Sequence, residues 1–424
     1  MGGKEEKLAT RRTWDLIAGL ALVAVACGGP AATPTPAPTA PPTAPPTAPP
    51  TAPPTAPPTA PPTPVPTIST IGEGEGALNV LAWPGYVEDG TYPGVDWATP
   101  FEEATGCQLN IQGFGTSDEA FSIFSASPEA FDVISASGDA SLRLVRGGYV
   151  QPVNVDLLAS YAQVFDSLKD KPYNTVDGVH YGIPHGRGSN LMMWRTDLVD
   201  PAPTNWAQMF DPASGYKVAV YDAPIYIADA AVVLMDTNPE LGITNPYALD
   251  ETQFAAAIAL LEQQKPGITQ YWTVYTDEMQ FFRDGDATVG TTWQIITNLL
   301  KIEDPPVAVD VIKPAEGATG WSDTWMINSK TQHINCAYKF LDYIVSPSVN
   351  IQIAEWFGEA PGNSESCALA VDATHCATFH ADDEAFWEDV WYWQTPEAQC
   401  VDGRTDVVCK DFADWVEAWQ QLKG

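Results

Sequence analysis

From about residue 77 onward, short apolar runs alternate with longer stretches in which apolar residues recur every three or four positions. Leu78–Ala82, Cys107–Ile111, Phe131–Ile134, Val218–Tyr221 and Ala308–Ile312 have the length and composition of strands. Trp97–Thr105, stopped by Gly106, has the spacing of a helix. So do Asp118–Ala126, Leu142–Gly147 with its Gly-Gly stop, Gln253–Gln264, Ile295–Ile302 and Cys336–Ile344. A tryptophan-rich tail ends in an amphipathic helix over Phe412–Leu422. This alternation predicts α/β layers with largely parallel sheets. About 350 residues are too many for one typical core and suit two lobes. Two strand tips stand out. Asn79–Tyr86 runs from an apolar strand into Trp83 and Tyr86, with the turn-forming Pro84-Gly85 between them. Gly320–Trp325 sets Asp323 two residues after Trp321. Ligands of open α/β sheets bind at such carboxyl ends. Aromatic faces beside an isolated carboxylate suit a small organic cation.

The N-terminus fixes the compartment. Lys4, Lys7, Arg11 and Arg12 precede an apolar stretch, Leu16–Ala26, that is too short for a membrane span and right for a signal peptide. It ends Ala24-Val25-Ala26-Cys27, which resembles a bacterial lipobox, though Ala24 stands where leucine is usual. Thr10–Trp14 also looks like a twin-arginine signal. An uncleaved anchor helix is the other reading, and either one puts the rest of the chain outside the cytoplasm. Residues 1–27 therefore read as a lipoprotein signal with Cys27 as the lipid anchor, and 28–76 as a disordered stalk. Thr-Ala-Pro-Pro repeats six times between Thr39 and Pro62. Such a tract takes an extended polyproline form with a maximum reach on the order of 100 Å.

Cys107, Cys336, Cys367, Cys376, Cys400 and Cys409 make an even set in an oxidising compartment. Six cysteines allow fifteen connectivities. The matching nine-residue spacings of Cys367/Cys376 and Cys400/Cys409 favour local pairs, with Cys107 joined to Cys336 across the fold. His375 and His380 flank Cys376, but their spacing fits no zinc pattern, and neither a metal nor a cofactor is expected. From Ile68 onward there are 16 Lys and Arg against 51 Asp and Glu. That makes nucleic acid and anionic membrane poor partners and favours cations, although acidity also serves plain solubility.

The order of several short motifs carries a family likeness. Asn79–Tyr86, Phe101–Gly106, Phe131–Ile134, Tyr181–Pro184, Asn205–Ala207 and Phe210–Pro212 follow one another as in bacterial periplasmic spermidine/putrescine-binding proteins. Thr292-Trp293, Lys313–Gly317 and Ala360–Asn363 continue the series. The chain resembles that family from about residue 77 to 363. The resemblance implies a type II periplasmic-binding-protein fold of two α/β lobes hinged by crossing strands. Lobe one would be 77–188 plus 322–370, and lobe two 189–321 plus 371–424. It implies a monomeric binding protein that closes on a polyamine and delivers it to an ABC permease. It also places Cys107 and Cys336 in one lobe.

Carried over position by position, the resemblance makes Trp83 and Tyr86 the aromatics along the methylene chain and Ser137 a strand-tip contact. Asp222 would receive one ammonium, Trp293 and Trp321 would be walls, and Asp323 would be the amine-binding carboxylate. Each has a plainer reading: core aromatics, a turn residue at Asp222, a helix cap at Asp323. Three positions depart from the family pattern. Asp139 stands where an aromatic is common, Ile225 where a second carboxylate follows Asp222, and Arg187 where a bulky residue lies near the crossover. Asp139 is a candidate replacement for the lost acid, and an inward Arg187 would call for a carboxylate on the ligand.

No nucleophile elbow, zinc-protease motif or phosphate-binding glycine loop is present, so an enzyme is not expected. A related amine, an amino acid or a sugar are the other ligands considered. Three acids at one cleft favour the amine over a neutral sugar.

Overall fold

The computed structural model describes residues 68–424. The signal, Cys27 and the proline-rich tract lie outside the described residues. The last part of the expected stalk, 68–76, instead packs on lobe one. Ile68 and Ile71 join its apolar core, and the Glu75 carboxylate accepts from the backbone N–H groups of Asn335 (2.9 Å) and Cys336 (2.9 Å). It thereby caps the helix Ile334–Ile344 and ties the chain down where apolar residues first reappear.

Two five-stranded sheets form the lobes. In the first, Ala77–Ala82 lies between Gln108–Gly113 and Val133–Ala136, parallel to both. Thr324–Ile327 then adds antiparallel, followed by Gly182–Pro184. In the second, Val218–Tyr221 lies between Ile268–Trp272 and Val289–Thr292, again parallel. Leu191–Arg195 and Val309–Ile312 extend it antiparallel. In each sheet four of the five strands thus run the same way, as the largely parallel expectation requires, and one, Thr324–Ile327 or Leu191–Arg195, is reversed between two of them. The reversed strand is in each case the one that directly follows a strand of the hinge sheet, and so does not come through a local strand–helix–strand unit of the kind that gives parallel pairing.

A third sheet joins the lobes: Ala360–Pro361, Gly186–Ser189, Ala318–Trp321 and Val390–Tyr392 lie side by side. Gly320 and Gly188 are required there. A Cβ on Gly320 would sit 2.6 Å from the Gly188 carbonyl, and one on Gly188 would sit 2.4 Å from the Trp321 indole.

The helices read from periodicity are all present. Ala98–Thr105 ends at Gly106 with φ +73°, and Ser117–Ala126 is capped by the Thr116 hydroxyl. The helix read at Leu142–Gly147 begins earlier, at Gly138, because Ser137-Gly138-Asp139 looks like a turn by composition. Ile227–Thr237 gave no amphipathic signal because Ile227–Leu234 is buried on every side. The C-terminal helix Phe412–Lys423 buries Trp415, Trp419 and Leu422 against lobe two and carries a capping box from Asp411 and Asp414. Disulfides join Cys107–Cys336, Cys367–Cys376 and Cys400–Cys409. Among the described residues, no helix is long and apolar enough to cross a membrane.

Candidate functional site

On lobe one, three strand ends converge. The first strand runs into a tight turn closed by the Tyr86 N–H on the Trp83 carbonyl (3.1 Å), with Gly85 at φ +99°. Trp97 donates its indole N–H to the Tyr86 carbonyl (2.9 Å), which locks the turn. The Trp83 indole N–H reaches Ser137 Oγ (3.3 Å), and the Ser137 side chain favours the ionised form of Asp323. Asp323 enters the strand Thr324–Ile327 and caps no helix.

The Tyr86 hydroxyl lies between two carboxyl groups, 2.8 Å from Asp323 Oδ2 and 3.1 Å from Glu359 Oε2. One hydroxyl proton can serve only one of them, so the other contact uses a carboxyl proton. Glu359 carries it: full burial, then the Asp323 charge, push its pKa well above the ordinary carboxylate range. Burial likewise holds Asp323 at about 6.

His185 supplies no compensating charge. Trp325 donates its indole N–H to His185 Nδ1 (3.0 Å), which leaves the ring proton on Nε2, 3.4 Å from Glu359 Oε1. Burial lowers the His185 pKa to about 3, so the ring is neutral. Gly186 makes room for this acid, since a Cβ there would come within 2.4 Å of the Glu359 carboxyl.

Asp139, in the first turn of the helix Gly138–Arg146, completes the lobe-one set. Burial, reinforced by the Asp118 charge, raises its pKa to about 7, and Asp323 adds to the rise. Arg143, whose charge opposes that rise, is paired with Asp118 at 2.6 Å. Asp139 Oδ1, Asp323 Oδ1 and Glu359 Oε1 are buried without a hydrogen-bond partner. Among the described residues, no Lys or Arg forms an ion pair with any of these three acids.

Lobe two faces this with aromatics. Tyr221, at the tip of Val218–Tyr221, stacks on Trp393 (5.9 Å, 13°) and tilts against Trp272 (5.0 Å) and Trp293 (5.7 Å). Burial and then the charges of Asp139, Asp118, Asp323 and Asp222 push its phenol up. The Trp293 indole N–H is held by Asn190 Oδ1 (3.0 Å), and Trp321 lies over Gly188 with Phe357 edge-on at 6.0 Å. The main chain at Trp393 closes tightly on lobe one, where a Cβ on Gly138 would lie 1.8 Å from its carbonyl oxygen.

The structure thus gathers Trp83, Tyr86, Ser137, Asp139 and Asp323 at one wall, with Trp293 and Trp321 beside them. Asp222 is different. Its carboxylate takes the Trp419 indole N–H (3.0 Å) and the Lys423 ammonium (2.6 and 2.5 Å), both from the C-terminal helix. Arg187 is also committed. Fully buried, it pairs with Glu384 (2.5 Å), donates to the Ala381 carbonyl (3.0 Å) and lies between the rings of Phe165 and Trp387. Cys376 is in a disulfide, His375 donates Nε2–H to the Glu359 carbonyl (2.9 Å), and His380 stacks on Phe386.

Sequence reasoning missed Glu359, Tyr221 and Trp393. Glu359 immediately precedes the recognised Ala360–Asn363 motif, and an acid at the edge of a buried strand was the available signal.

Comparison with known proteins fits this architecture. Residues 96–386 match the family model for bacterial extracellular solute-binding proteins. The spermidine/putrescine-binding periplasmic protein of Escherichia coli is 22% identical over 59% of this chain and 68% of its own length. The putrescine/cadaverine-binding protein of Pseudomonas aeruginosa is 23% identical over 68% of this chain and 79% of its own. In structure, the spermidine/putrescine transporter substrate-binding protein of Streptococcus pneumoniae superposes with a TM-score of 0.63. That match covers 82% of this chain and 97% of the other at 16% identity. With two sheets, a hinge sheet between them and a matched segment that spans both, this chain belongs to the bacterial extracellular solute-binding protein family.

Proposed function

We propose that the protein captures a linear polyamine of the putrescine or spermidine type between its lobes and delivers it to an ABC importer. One observation carries this reading: three buried acids, Asp139, Asp323 and Glu359, cluster beside Trp83 and Tyr86, and among the described residues no Lys or Arg pairs with them. A buried carboxylate without a partner is costly, and an ammonium group restores the balance. Trp83, Tyr86, Trp293 and Trp321 offer flat apolar faces for the methylene chain, and the Tyr86 hydroxyl orients Asp323. The polyamine-binding relatives support the same class. Arg187 favours no carboxylate-bearing ligand, because Glu384 already neutralises it.

The closing bodies are 77–188 with 322–370, and 189–321 with 371–424. The ligand docks on one and draws in the other through contacts made only when closed. The protein acts outside the cytoplasm as a binding protein and not as an enzyme, held to the membrane by lipid on Cys27 with the proline-rich stalk as tether. Cys27→Ser should release it from the membrane fraction, and retention there would remove the anchor reading.

Calorimetric titration with putrescine, spermidine, spermine, a basic amino acid and a disaccharide tests the ligand class. One-to-one binding of a linear amine is expected. Binding of the amino acid or the sugar alone would overturn the polyamine reading.

A further inference from the structure

Lobe two contains a buried acid outside the set described above. Asp229 lies in the helix Ile227–Thr237, 7% exposed, at a cavity lined by Asn190, Tyr221, Tyr226, Thr292 and Trp393 among others. The cavity is small, about 10 Å³, the size at which one water or one ammonium group is held. The Thr319 hydroxyl donates to Asp229 Oδ1 (2.9 Å), and Asn190 Nδ2 donates to that hydroxyl (2.7 Å). Asn190 Oδ1 in turn takes the Trp293 indole N–H (3.0 Å), so a hydrogen-bonded chain runs from a cleft wall to this carboxylate. Thr319 accounts for Oδ1 alone.

The position of the acid is informative. Ile225 occupies the place of a second carboxylate in the related pattern, and Lys423 neutralises Asp222. Asp229 is four residues beyond Ile225, and both line this cavity. The cavity also adjoins the cleft. Tyr221 and Trp393, which stack on each other, line it, and the Trp393 carbonyl abuts lobe one at Gly138, the residue before Asp139.

We propose that Asp229 and the cavity beside it form a second cation seat, which takes the distal ammonium of a diamine or longer polyamine whose first ammonium lies at Asp323. This inference rests on the polyamine reading and specifies where in lobe two the ligand ends.

The test compares a linear α,ω-diamine series with monoamines of equal chain length by calorimetry, on wild type and on Asp229→Asn. Wild type should prefer one diamine length over its monoamine by roughly tenfold or more, the worth of one charge-assisted contact. Asp229→Asn should erase that preference. An undiminished preference in Asp229→Asn overturns the seat. Should the variant not fold, the wild-type series still decides, because equal affinity for diamines and monoamines overturns the seat while leaving the amine reading intact. A wild-type protein that binds no amine at all overturns both.

Discussion

The two walls of the cleft carry acids in opposite conditions. On lobe one, Asp139, Asp323 and Glu359 are buried beside a tyrosine, a serine and a neutral histidine, and among the described residues no ammonium or guanidinium pairs with them. On lobe two, Asp222 sits at the equivalent strand tip, yet the Lys423 ammonium and the Trp419 indole already satisfy it. The same residue type at the same kind of place serves binding in one case and architecture in the other. What separates them is the partner, because a carboxylate becomes a ligand group only where the fold leaves its charge unanswered. The Arg187–Glu384 pair at the hinge follows the same rule with the sign reversed.

The largest effect expected from this contrast is at Asp323. Asp323→Asn should weaken binding of the preferred amine by roughly a hundredfold, since the ammonium would be buried against a neutral amide. Asp222→Asn, tested in parallel by calorimetry, should change affinity less than about threefold, because its charge is directed at Lys423. Equal losses in the two variants would dissolve the distinction between the walls.

Protons sharpen it next. Burial holds the ligand-free Asp139 at about 7 and Asp323 at about 6, both raised above the ordinary carboxylate range. The folded state therefore keeps protons that the unfolded chain has released. The stability these groups contribute is full at acid pH, and it is lost as pH rises through about 6 to 7. An ammonium binds the ionised acids, so its affinity should run the other way. It should climb by up to about tenfold per pH unit for each proton released, then level off near neutrality. Calorimetry at pH 5, 6, 7 and 8 in two buffers of different ionisation enthalpy measures both the slope and the protons released. A flat profile with no proton release would show that the lobe-one acids are already ionised without ligand.

How far all this was legible in the sequence differs by region. The strands, the amphipathic helices, the two local disulfides and the aromatics at Trp83 and Tyr86 rest on short-range patterns, and the structure has them where those patterns lie. Ile227–Thr237 was invisible because a helix buried all round has no period. The fate of Asp222 was equally hidden, since its partner lies 201 residues away at the end of the chain. Nothing near residue 222 records that the C-terminal helix docks there, and the same is true of Arg187, whose partner lies 197 residues on. Charges read from sequence give candidates, and only tertiary pairing sorts them.

The smallest effect tests that sorting directly. The Lys423 and Asp222 side chains are 36% and 21% exposed, and an ion pair so open to water contributes little, about 0.5–1 kcal/mol. Lys423→Met should therefore lower the unfolding free energy by no more than that in a urea titration, because Trp415, Trp419 and Leu422 still anchor the helix. The same substitution leaves the Asp222 carboxylate without its cation at the edge of lobe two. If pairing is what separates the two walls, amine affinity in Lys423→Met should rise slightly, by about two- to threefold, as an unanswered charge joins the cleft. The gain should vanish in the double variant Lys423→Met/Asp222→Asn. A rise that persists in the double variant would come from the lost lysine charge alone, and Asp222 would have no part in binding in either state.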